Sequence, residues 1–188
     1  VASSAWTAVL KAEGRLLPRK RPEDIDINSV LVIGGAGYIG SGLIPRLLAR
    51  GYNVRILDLL LWGTEPIKAV VNHPQLEIVQ ADLRQIDKIV QAMRGMDAVI
   101  HLGGIVGDPA CSLDEGLTID VNLAATRLIA EVARGEGVQR LLFASTCSVY
   151  GSGETLLSET SPTNPLSLYA KTKLASEKVL LEMADDDF

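Results

Sequence analysis

Ser29-Val30-Leu31-Val32-Ile33 followed by Gly34-Gly35-Ala36-Gly37-Tyr38-Ile39-Gly40 reads as a short apolar strand that runs into a glycine-rich turn and opens a helix. Four glycines in seven residues satisfy both the GxGxxG and the GxxGxxG spacing. Such a turn needs glycine where the chain reverses, where backbone meets a pyrophosphate, and where helix packs against strand. The exposed N–H groups at the helix start would then face phosphate, helped by the helix dipole. Asp58 ends a second predicted strand, eighteen residues beyond Gly40. A carboxylate there accepts from adenosine ribose hydroxyls and repels a 2′-phosphate, so NAD is expected in preference to NADP.

Outward from this unit, apolar runs alternate with helical segments. Strands are expected at Asn53–Asp58, Glu77–Gln80, Ala98–Leu102 and Arg140–Ala144. Helices are expected at Tyr38–Arg50, Pro66–Asn72, Gln85–Arg94, Glu115–Gly135 and Leu168–Met183, with a polar loop after the fourth strand. This alternation predicts an α/β protein with right-handed βαβ units and a parallel sheet. Gly51, Gly95 and Gly135 stand where helices should stop. Pro45 falls inside the first helix and predicts a kink.

Residues 1–28 read as an N-terminal extension or linker, and 29–188 as the folded domain. Pro18 and Pro22 bracket Arg19, Lys20 and Arg21, an acidic stretch follows, and a short helix fits within Ala5–Leu17. The 188 residues are 47% hydrophobic and 22% charged with net charge -5, a globular composition with no general attraction to nucleic acid or anionic membrane. No apolar run reaches the ~18 residues of a membrane span. Val1–Leu10 lacks the basic start of a secretory signal, and a cytoplasmic setting is expected. Two cysteines, Cys111 and Cys147, make neither a disulfide framework nor a metal site. Cys147 reads as a small space-filler and His101 as structural.

A second cluster carries chemistry. Tyr169 and Lys173 stand at i and i+4, on one helix face. A phenol with ordinary pKa of about 10 becomes a base near neutrality only if shifted by roughly 3 units, which a neighbouring ammonium favours. Ser145, Thr146 and Ser148 follow the fifth strand, at the sheet edge where ligands of open α/β sheets bind. A hydroxyl there can hydrogen-bond a substrate oxygen and share a proton with the phenol.

Gly34–Gly40, Asp58, Asp82-Leu83, His101-Leu102-Gly103-Gly104, Asn122, Ser145–Gly151 and Tyr169–Lys173 together resemble, in order, the extended short-chain dehydrogenase/reductases, and within them the NAD-dependent epimerase/dehydratases that act on nucleotide sugars. The resemblance covers residues 29 to 184 and implies a Rossmann-type doubly wound sheet with helices on both faces. It implies that Gly34, Gly37 and Gly40, with the Tyr38 and Ile39 backbone, hold the pyrophosphate. Asp58 would hold the ribose, Asp82 and Leu83 would flank the adenine, and Leu102, Gly103, Gly104 and Ser145 would line the cofactor. Asn122 would support the lysine, Thr146 would be the catalytic hydroxyl, Tyr169 the base, and Lys173 its ribose-binding, pKa-lowering partner. Helices 115–135 and 168–183 would pair in a homodimer.

Three departures stand out. Leu59 replaces a common Asn, His-Leu-Gly-Gly replaces His-Leu-Ala-Ala, and the chain stops at Phe188, before the family's C-terminal substrate domain. Relatives that eliminate water or decarboxylate carry an acidic residue just after the catalytic Thr, where this chain has Cys147 and Ser148. That leaves hydride abstraction at a sugar carbinol carbon with Tyr169 as base. Return of the hydride to the other face makes an epimerase, the expected activity. The alternatives are a dehydrogenase or ketone reductase of the same family, or a non-catalytic dinucleotide-binding fragment.

Overall fold

The computed structural model describes residues 26–153 and 156–184. The possible helix within Ala5–Leu17 lies outside them. Five strands form one parallel sheet: β1 (Ser29–Ile33), β2 (Asn53–Asp58), β3 (Leu76–Gln80), β4 (Ala98–His101) and β5 (Arg140–Phe143), in spatial order β3-β2-β1-β4-β5. The helices are α1 (Tyr38–Ala49), α2 (Ile86–Met93), α3 (Asp108–Leu113), α4 (Glu115–Ile119), α5 (Ala125–Gly135) and α6 (Leu168–Met183), with a π-helical turn, Asp120–Ala124, joining α4 to α5.

Alternation along each central strand divides the core between the two faces. Leu31, Ile33, Leu57 and Val99 pack with Ile89 and Met93 of α2 and Ile129 and Ala133 of α5. Val30, Val32, Val54 and Ile56 pack with Ile44 and Leu48 of α1 on the other face. Helices therefore cover both faces, as in a Rossmann-type doubly wound sheet. Each fully buried aliphatic side chain contributes roughly 1.5–3 kcal/mol, so the central strands β1, β2 and β4 hold the ends of the sheet in place. The strand order reverses at β1, where β2 lies on one side and β4 returns to the other. A crevice at such a reversal, beyond the carboxyl ends of the strands, is where ligands of this architecture bind.

Several expectations change. Pro66–Asn72 is not a helix: Glu65–Ile67 is a single 3-10 turn, and Val70 and His73 continue with i→i+3 bonds to Ile67 and Val70. The loop after β4 contains α3, started by Pro109 in its first turn. The helix ends at Gly135 as expected, but the glycine that takes up the left-handed stop is Gly137. Gly137 has φ +77°, and Val138 N–H bonds back to Ala133 O at 2.9 Å, burying Val138 against the helix end. Helix α1 continues through Pro45, whose missing N–H leaves one bond unmade without ending the helix. Cys147 is exposed and fills no space, while Cys111 is buried; both are free.

Candidate cofactor and catalytic site

The glycine loop lies at the strand reversal and is tied to the sheet on both sides. Gly34 N–H donates to Leu57 O at 2.8 Å, and Leu102 N–H donates to Ile33 O at 2.8 Å. Gly34 has φ +77°, and a Cβ on it would stand 2.7 Å from Gly103 Cα, so the loops after β1 and β4 meet backbone to backbone. A Cβ on Gly103 would in turn stand 2.9 Å from Leu83 Cδ1. Gly34, Leu83, Leu102 and Gly103 are thereby brought together.

Asp58 fastens this edge. Its Oδ2 accepts from Ala36 N–H at 3.0 Å and its Oδ1 from Leu60 N–H at 2.8 Å, and each oxygen keeps a second lone pair. Gly37 begins α1 without any side-chain cap, and a Cβ there would meet only Gly34 O, at 3.3 Å. The first N–H groups of α1 therefore face an open surface, flanked by Tyr38 at 96% exposure. This cradle of bare N–H groups with a carboxylate at its rim fits a dinucleotide's pyrophosphate and ribose. Asp82 is engaged by a neighbour within its own loop. The Arg84 guanidinium grips its carboxylate (Nε to Oδ1 2.9 Å, a second nitrogen to Oδ2 2.6 Å) and holds it below the usual carboxylate range.

Asn122 sits in the π turn, 3% exposed. Its side chain does not reach Lys173. Nδ2 donates to Ile105 O at 2.9 Å and Oδ1 accepts from Ile105 N–H at 2.8 Å, closing the loop after β4. A Cβ on Gly104, where φ is +157°, would stand 2.8 Å from the same Oδ1. The link to α6 runs through the Asn122 carbonyl, which accepts from Ser176 Oγ at 2.8 Å.

Ser167 caps α6 by accepting from Ala170 N–H, which starts the helix two residues before Tyr169. Tyr169 is half-buried, and its phenol oxygen has no hydrogen-bond partner among the described residues. The 3-10 turn Cys147–Tyr150 packs on α6 and opens on Thr146, whose Oγ1 accepts from Ser148 N–H at 3.2 Å and donates to Ser148 Oγ at 3.1 Å. Lys173 is 7% exposed, and its Nζ lies 3.8 Å from the centroid of the Phe143 ring. Burial lowers its pKa to about 8, while Glu177 pulls the other way. Ser145 Oγ donates to Glu177 Oε1. Tyr169, Lys173 and Glu177 thus line one face of α6 at i, i+4 and i+8. Sequence reasoning missed Glu177, although that spacing could have found it, and it missed Phe143.

His101 is wholly buried, its Nε2 3.0 Å from Thr126 Oγ1. The single Thr126 hydroxyl proton is directed at Asn122 O, 2.8 Å away, so His101 donates from Nε2 and leaves Nδ1 bare. Burial, and then the Lys173 charge, push its pKa down to about 3. The unfolded chain binds a proton on this residue near pH 6.5 that the folded chain refuses, so stability is lost as pH falls from 6.5 toward 3. Between pH 7 and 4.5 this amounts to about 3 kcal/mol. Urea denaturation at the two pH values should show wild type losing about that much more than His101→Leu; equal losses would place the acid sensitivity elsewhere.

Residues 30–187 match the NAD dependent epimerase/dehydratase family. The chain is 32% identical over 155 residues to a UDP-glucose 4-epimerase of Lacticaseibacillus casei, covering 81% of this chain and 46% of that enzyme. It is 30% identical over 164 residues to a 3-beta-hydroxysteroid dehydrogenase of Mycolicibacterium neoaurum, covering 83% and 43%. The solved structure of MoeE5 in complex with UDP-glucuronic acid and NAD matches with TM-score 0.74 at 31% identity, over 85% of this chain and 51% of its own. The chain spans about half the length of the relatives it matches.

Proposed function

The chain belongs to the NAD-dependent epimerase/dehydratase family, and on that premise we propose that it carries the cofactor-binding and proton-transfer half of a nucleotide-sugar epimerase. When bound, NAD supplies a hydride acceptor at a carbinol carbon and can return the hydride. Gly34, Gly37 and Gly40 with the Tyr38 and Ile39 amides hold the pyrophosphate, Asp58 holds the adenosine ribose, and Leu83, Leu102, Gly103 and Gly104 form the wall behind it. Asp82, its carboxylate held by Arg84, flanks the adenine together with Leu83.

Tyr169 Oη takes the proton of the reacting sugar hydroxyl and gives it back. Lys173 Nζ, one turn along the same face, favours the phenolate by its charge. Thr146 Oγ1 hydrogen-bonds the same substrate oxygen, with Ser148 beside it as proton acceptor and Ser145 further along the strand end. The observation that carries this reading is that α6, with Tyr169 and Lys173 one turn apart, packs on the Cys147–Tyr150 turn that opens on Thr146, with Cys147 and Ser148 rather than a carboxylate next to Thr146. At the two positions after Thr146 there is then no acid to move a proton at the neighbouring carbon, which favours epimerisation over dehydration. The steroid dehydrogenase relative supports a second reading, net oxidation of an alcohol with release of reduced cofactor.

Homodimer formation through helices 115–135 and 168–183 belongs to the same proposal, and Ile119 and Leu181 are exposed on them. No helix among the described residues is long and apolar enough to cross a membrane. NMR analysis of products, after incubation with NAD and a panel of UDP-, dTDP- and GDP-sugars, tests the reading. A stereoisomer without net NADH is the expected result. Stoichiometric NADH would favour the dehydrogenase, and no conversion despite bound NAD would overturn catalysis by this chain.

A further inference from the structure

Across β2, β1, β4 and β5 the last in-register row runs Leu57, Ile33, His101, Phe143. Its first two members are apolar core residues with 0% exposure, and its last two are neighbouring rings with centroids 5.5 Å apart. The Lys173 ammonium sits on the face of the outer ring, 3.8 Å from its centroid. An ammonium over an aromatic face is attracted by the negative face of the ring quadrupole, the more so when partly withdrawn from water. No other partner competes for it: among the described residues Lys173 Nζ makes no hydrogen bond and no ion pair. The carboxylate best placed to take it, Glu177 one turn along α6, instead accepts the Ser145 hydroxyl. The other titratable group whose electrostatics couple to this amine is neutral His101, beside the ring on the neighbouring strand.

We propose that Phe143 is a positioning residue, whose ring seats the Lys173 ammonium in place of a counter-ion and so leaves its three N–H donors free for a ligand. A carboxylate in that position would take one or two of those donors and neutralise the charge that Tyr169 needs. A ring face does neither, because it attracts the charge without occupying a directed donor. Glu177, held by Ser145, contributes at longer range. His101 flanks the ring, and its own low affinity for protons keeps a second positive charge from developing beside the first. The use made of the free amine rests on the epimerase reading above, but the seat itself does not.

The test is the titration of Lys173 in the ligand-free chain, followed by the 13Cε resonance in lysine-labelled protein and assigned by its loss in Lys173→Arg. The ring stabilises the charged form, so removing it lowers the midpoint. Phe143→Leu should shift it down by about half to one pH unit, a three- to tenfold loss of proton affinity. Replacing Phe143 by mono-, di- and trifluorophenylalanine, which keep the shape while weakening the quadrupole, should lower the midpoint step by step. The fluorinated series decides the matter if the leucine variant does not fold. An unchanged midpoint in folded Phe143→Leu, or across the fluorinated series, overturns the seat even if the chain is an active epimerase. A stepwise shift upholds the seat even if no sugar is turned over.

Discussion

Tyr169→Phe should reduce turnover by a hundred- to ten-thousandfold while leaving NAD affinity within about twofold and the fold intact. The rate loss is the usual worth of a positioned general acid–base group. Tyr169 is the group the proposal assigns to carry the sugar hydroxyl proton, with Lys173 one turn along the same helix. The substitution removes one oxygen from a half-buried side chain. That oxygen has no partner among the described residues, so nothing in the protein is left unsatisfied by its loss. The glycine cradle between β1 and α1, and Asp58 at the end of β2, are untouched. Turnover on whichever substrate the NMR panel reveals, NAD titration by calorimetry, and thermal unfolding should be measured on the same preparation. Residual activity above a tenth of wild type would assign the proton transfer to another group.

The strand, glycine turn and helix from Ser29 to Ala49 were legible because an uninterrupted apolar run leads into glycine spacing that marks the start of a helix. Asp58 was legible from its distance along the chain, since β2 must lie beside β1 for the unit to close. The failures have equally local causes. In Pro66–Asn72, proline can start a helix, but the segment makes only i→i+3 bonds and stays a string of turns. In Gly135-Glu136-Gly137, either glycine could take up the left-handed stop, and the choice is made by Val138, which must reach the core two residues beyond the cap. Helix α3 exposes nearly everything except Cys111, so it has no periodic pattern to find.

The site divides in the same way. Tyr169, Lys173 and Thr146 stand out by residue type and spacing. Phe143 becomes relevant only once α6 is laid across the end of β5, and no spacing along the chain foretells which strand residue lies under Lys173. Asn122 illustrates the reverse. Its place on the long helix was readable, but its contact was not, because the π turn delivers the carbonyl to α6 and the side chain to Ile105.

Gly40→Ala should destabilise the chain by about 3 kcal/mol and weaken NAD binding by a hundredfold or more, even though alanine is the better helix former. Helix propensity alone favours the change by up to ~1 kcal/mol. Against it, a Cβ on Gly40 would stand within the van der Waals envelope of the Gly35 carbonyl, its three nearest neighbours all being Gly35 main-chain atoms. No rotamer relieves a clash with backbone. Gly35 cannot withdraw either, since its own Cβ position lies 2.9 Å from the Ile56 side chain, which is wholly buried in the sheet. Relief requires lifting the start of α1 from β1, and overpacking of this kind costs about 1–3 kcal/mol, with loss of the Ile44 and Leu48 contacts added to it. The same lift displaces the Tyr38 and Ile39 amides, which is why binding falls further than stability. Gly42→Ala is the control within the same helix. There a Cβ meets only the flexible Arg46 guanidinium, at 3.3 Å, so propensity wins and the variant should match or exceed wild type by up to ~1 kcal/mol. Urea denaturation and NAD calorimetry on the pair distinguish the two terms: equal behaviour of the two variants would mean that the loop yields where its contacts say it cannot.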